Sequence, residues 1–79
     1  MKIETTKTNS FRFTEGEVID EYRVTTEGTI IGTLQVRSTE DKVDYRPSGT
    51  LIFGRANAWT TSRDEAIARI VRSVSKVAA

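Results

Sequence analysis

The chain reads as a small α+β protein: an antiparallel sheet of three to four strands, built as two hairpins, with one C-terminal helix packed on one face. Two observations carry that expectation. Ser62-Arg63-Asp64-Glu65 has the form of a capping box. Behind it Ile67, Ile70, Val71, Val74 and Ala78 recur at helical spacing on one side, with Glu65, Arg69, Arg72 and Lys76 opposite. Upstream of residue 60 the side chains alternate as strands do. Strands first and one terminal helix is the order expected of a sheet closed on one face by that helix.

Residues 1–16 are polar and rich in Thr, with Phe11 and Phe13 as the one strong apolar pair, which suits an edge strand or a partly ordered arm. From residue 17 the alternation sharpens. Val18, Asp20, Tyr22 and Val24 share one parity, and Ile19, Glu21, Arg23 and Thr25 the other. Thr26-Glu27-Gly28 offers a tight turn with a glycine for positive φ, and residues 29–37 resume with Ile30, Leu34 and Val36 on the apolar parity, completing a hairpin. A charged loop, Ser38-Thr39-Glu40-Asp41-Lys42, precedes a second hairpin predicted over residues 43–53, with a type I turn at Arg46-Pro47-Ser48-Gly49. Residues 54–59 continue or bulge from that strand, and Thr60, Thr61 and Ser62 offer hydroxyls to cap the helix.

A chain of 79 residues makes a single domain, 1–79, with a thin core served by three Phe, two Tyr and one Trp. A homodimer would add burial that so short a chain lacks. Cysteine and histidine are absent, which removes disulfides, thiolate chemistry, the usual zinc sites and imidazole acid–base catalysis. No apolar run is long enough to span a bilayer and no signal-peptide core follows Met1, so the expected setting is soluble and cytoplasmic, with no membrane partner. Net charge is +1, unevenly spread. Residues 1–44 hold six basic and nine acidic side chains, whereas residues 45–79 hold six basic and two acidic. Such asymmetry steers charged partners if folding preserves it.

Enzymatic readings find little support. Glu15, Glu17, Asp20 and Glu21 lack metal-loop spacing, Ser48 has no histidine to activate it, and Gly28, Gly32, Gly49 and Gly54 follow no phosphate-loop pattern. No catalytic, cofactor-binding or metal-ligating residue is therefore assigned. The helix stripe Arg69-Arg72-Lys76 projects three cations in one direction but reads equally as a solvated face. More informative is the side of the sheet that one helix leaves uncovered. By parity it carries Ile19, Glu21, Arg23, Thr25, Ile31, Thr33, Gln35, Arg37, Arg46, Thr50 and Ile52, while Trp59 falls at the rim of the helix-side core. Arginines among isoleucines suit recognition of a macromolecule, and Arg23, Ile31, Gln35, Arg37, Arg46 and Ile52 are the candidate partner-binding residues.

Residues 59–68, Trp59-Thr60-Thr61-Ser62-Arg63-Asp64-Glu65-Ala66-Ile67-Ala68, resemble the entry to the terminal helix in AP2-like and integrase arm-type DNA-binding domains. Those domains pack a three-stranded sheet on one helix and read the major groove with the sheet. The resemblance implies nucleic acid as a partner, contacted by Arg23, Arg37 and Arg46, although the sheet region here is acidic overall. In size and composition the chain is similar in style to stand-alone regulatory or inhibitor proteins of phages and mobile elements. The expectation is a non-catalytic binding module that presents its sheet face to a protein, with DNA binding through that face as the alternative.

Overall fold

The computed structural model describes residues 2–13, 15–49, 52 and 54–78, with side chains as far as Val74. Strands β1 (Ile3–Arg12), β2 (Val18–Thr26), β3 (Thr29–Ser38) and β4 (Val43–Ser48) form one antiparallel meander in the order β1-β2-β3-β4. A 3-10 turn (Gly54–Asn57) follows, and helix α1 (Arg63–Ala78) ends the described chain. The expected class, a small antiparallel sheet with one C-terminal helix on one face, is the observed one. Residues 1–16 include a full edge strand, since β1 pairs with β2 along its length.

Local chemistry explains the joints. Glu27 (φ 50°) and Gly28 (φ 81°) are both left-handed, the two-residue turn whose twist suits a hairpin. Helix α1 starts where Ser62 Oγ accepts from the Glu65 amide at 3.1 Å. The reciprocal half of the box is absent, because the Ser62 amide donates to Thr60 Oγ1 and the Glu65 carboxylate turns to Arg69 and Arg72.

The second hairpin is where sequence and structure part. Pro47 lies inside β4, directly opposite Leu34, and no turn begins at Arg46; the β3–β4 connection is the charged loop expected there, residues 39–42. Proline is tolerated there because β4 is an edge strand. Tyr45 exchanges both backbone hydrogen bonds with Thr60 on the outer side, so two residues on, the nitrogen of Pro47 also points outward, where the sheet needs no donor. Residues 54–57 neither extend a strand nor bulge from one but form the 3-10 turn. Thr50, Leu51 and Phe53, assigned to the returning strand, lie outside the described residues, as do the side chains of Lys76 and Ala78.

Among the described residues Val24, Leu34, Ile52, Ala66 and Ile70 form the buried core cluster, with Ile3, Tyr22, Ile31, Val36, Tyr45 and Ile67 packed around them. Helix α1 lies over β3 and β4, and it lies close: a Cβ on Gly32 would meet Ile70 Cγ2 and the Ser48 carbonyl oxygen at 2.8 Å. Its buried line is Ala66, Ile70 and Ser73, flanked by Ile67, so the inward face is rotated from the one centred on Ile67, Ile70, Val71 and Val74. Small side chains at 66 and 73 permit the close approach, and Ser73 satisfies its buried hydroxyl by donating to the Ile70 carbonyl at 2.7 Å.

Candidate recognition face

Two bulges determine which side chains reach the face opposite α1. In the β2–β3 pair Val24 opposes Gly32 and Thr25 opposes Ile30, leaving Ile31 as an extra residue. Alternation slips by one at that point. Ile30 is thereby turned out, 61% exposed, and Ile31 is turned against the core, the reverse of a strict two-residue period. Ile52 is likewise a core residue, 5% exposed, rather than a member of the open face. Of the six candidate partner-binding residues, Ile31 and Ile52 are thus removed, whereas Arg23, Gln35, Arg37 and Arg46 do share the face opposite the helix.

In β1 the bulge lies at Thr8, between the Lys7–Tyr22 and Asn9–Glu21 pairs. It sets Asn9 and Phe11, and by continued alternation Phe13, on that same face. Cross-strand partners then line up in rows. One runs Phe11, Ile19, Arg37 and Asp44 across all four strands, and the next runs Asn9, Glu21, Gln35 and Arg46. Directly opposed side chains stand roughly 5 Å apart at Cβ, so each row is a contiguous strip.

The first strip is apolar at one end and ionic at the other. Phe11 is 48% exposed and Phe13 52%. Arg37 donates to Asp44 Oδ2 at 2.8 Å, and its guanidinium carbon lies 4.2 Å from the centre of the Trp59 ring. Trp59 therefore sits on the open face and not at the rim of the helix-side core, because Thr60 bridges Tyr45 and the residue before it must point to the other side. Asp44 is buried, and Lys42 Nζ adds a second cation at 3.7 Å. The hydrogen bond from Arg37 holds the Asp44 carboxyl below its ordinary value, against the opposing effect of burial.

The second strip is polar and preorganised. Glu21 accepts from Asn9 Nδ2 at 3.2 Å and from Gln35 Nε2 at 3.3 Å, while Arg46 Nε donates to both the carbonyl and the side-chain oxygen of Asn57 at 3.0 Å. Glu21, Thr33, Gln35, Arg46, Ser48 and Asn57 line a recess of about 270 Å³. A second recess, about 250 Å³, lies on the helix side between Tyr22, Leu34, Val36, Tyr45 and Arg63, where α1 leaves β2 uncovered. Arg69 and Arg72 of the helix stripe are both paired with Glu65, at 3.2 and 3.1 Å, and their hydrogen bonds, that of Arg72 foremost, hold the Glu65 carboxyl low.

Asn9, Ile30, Asp44, Asn57, Trp59 and the two phenylalanines are among the residues of this face that parity alone does not place there. The available signal was the alternation Val43-Asp44-Tyr45, which sets Asp44 opposite Tyr45; the bulges that place the others leave no mark in a Thr-rich strand. Among the described residues no cluster of Asp and Glu is arranged to hold a metal ion, and no helix is long and apolar enough to cross a membrane. Compared with known proteins, the chain matches no family model, and no curated protein or solved structure matches it.

Proposed function

We propose that the chain is a non-catalytic binding module whose open sheet face recognises another protein, acting in the cytoplasm as a small regulatory or inhibitor protein of phage or mobile-element type. One observation supports this above all: the half-exposed Phe11 and Phe13 adjoin Ile19 and run into the Arg37–Trp59 stack. Interface centres combine aromatic side chains and arginine in this way, because they bury large area at low entropic cost. Their neighbours are held by internal hydrogen bonds, so little ordering remains to be done on binding.

DNA recognition through the same face has weaker support. Arg37 is neutralised by Asp44, Arg46 is tied to Asn57, and Glu21 lies between them and Arg23. Arg23 is then the one arginine of the face without a partner among the described residues. A basic stripe of phosphate contacts needs several free cations.

Affinity capture with three forms of the protein tests the proposal. A Phe11→Ser/Ile19→Ser variant should lose the protein that wild type retains, and Arg69→Glu/Arg72→Glu should keep it. A mobility shift on duplex DNA that weakens steeply between about 50 and 200 mM salt, and that Arg23→Ala removes, would instead establish the DNA module.

A further inference from the structure

We infer that the partner of this face is basic: a protein segment that seats an apolar side chain on Phe11, Phe13 and Ile19 and carries lysine or arginine beside it. The inference rests on the proposal that the open face binds protein. In a meander the β1–β2 and β3–β4 connections, residues 13–17 and 39–42, fall at the same end of the sheet. They bring Glu15, Glu17, Glu40 and Asp41 to the border of the aromatic strip, and Glu21 stands one row along it. None of these five carboxylates forms an ion pair with a described residue; Glu21 is held by two neutral amides.

The cations nearby offset them only in part. Arg37 and Lys42 share the one carboxylate of Asp44, Arg46 keeps its charge on neutral Asn57, and Arg12 opposes Val18 on the helix side of the sheet, so Asp44 and the five carboxylates still outnumber the cations of this border. Arg23 lies further along the face, opposite Thr33. The phenylalanines supply desolvation without selecting a sign, and the acidic border then selects a cationic segment over an acidic one or a phosphate backbone.

A random dodecapeptide library displayed on phage, selected against the intact protein, tests the inference. Sequences combining Lys or Arg with apolar residues should be enriched and Asp and Glu depleted. Selected peptides should bind about tenfold more weakly to Glu15→Lys/Glu40→Lys, whose circular dichroism should remain native, and that variant should itself select acidic sequences. Selected sequences that require Phe11 and Phe13 but show no charge bias, or equal binding to the charge-reversed variant, would overturn the basic partner and leave the face proposal standing. Enrichment that survives Phe11→Ser/Phe13→Ser, or none at all, would overturn both. A wild-type dimer in sedimentation that Phe11→Ser/Phe13→Ser dissolves would make the occupant a second copy and also refute the inference.

Discussion

Ser62 satisfies one of the four amides that open α1, and it does so alone, because Glu65 is drawn away by two arginines. Ser62→Ala should therefore cost about 1 kcal/mol in a denaturant titration, while Thr61→Ala, which removes no described hydrogen bond, should cost little. Asp44 gives a pH test. Its carboxyl titrates below the ordinary value in the folded chain, chiefly through the Arg37 hydrogen bond. A group held low in this way adds stability above its unfolded-state value and loses that contribution as pH falls through the folded-state value. The denaturation midpoint should hold down to about pH 5 and fall as pH drops below about 4, and Asp44→Asn should remove part of that fall. An acid limb unchanged by Asp44→Asn would show that the pair with Arg37 is not linked to folding.

Helix α1 is held by its buried line rather than by its charges. Ile70 is fully buried over Gly32, so Ile70→Ala should destabilise the protein by about 2–4 kcal/mol, whereas Arg72→Ala, an exposed change, should cost under about 0.5 kcal/mol. Equal losses in urea would mean the helix packs on another face. This element was legible in the sequence because its cap and spacing are local. So were β2, β3 and the Glu27-Gly28 turn between them. The loop before β4 was legible, but the end of β4 was misread because Pro47-Ser48-Gly49 has the residues of a turn, and only the outward direction of the Pro47 nitrogen, set by the distant Thr60, lets β4 run on through Ser48. Two of the six candidate site residues were misplaced for a related reason. A period of two carries Ile31 and Ile52 to the open face, but the bulge at Ile31 is decided by pairing with β2, and Ile52 follows no strand at all.

Across the molecule, the division of labour follows from a sheet wider than its helix. A small buried core and a close helix–sheet contact hold β3 and β4 to α1, while the aromatic residues expected to fill the core are in part displayed instead: Phe11 and Phe13 half-exposed, Trp59 laid on Arg37. The charge asymmetry of the sequence persists in the fold, with carboxylates that have no ion pair among the described residues gathered at the end where those phenylalanines stand, and with Arg69 and Arg72 of α1 sharing Glu65.

The central claim is that recognition belongs to the sheet face and not to the helix. Trp59 is the chain's single tryptophan and lies on that face, so its fluorescence reports the site directly. Titrating in a bound protein or selected peptide that lacks tryptophan should shift Trp59 emission in wild type and in Arg69→Glu/Arg72→Glu, and should leave it unmoved in Phe11→Ser/Ile19→Ser because binding is lost. Binding that leaves Trp59 emission unchanged in wild type and disappears in the helix variant would contradict the account.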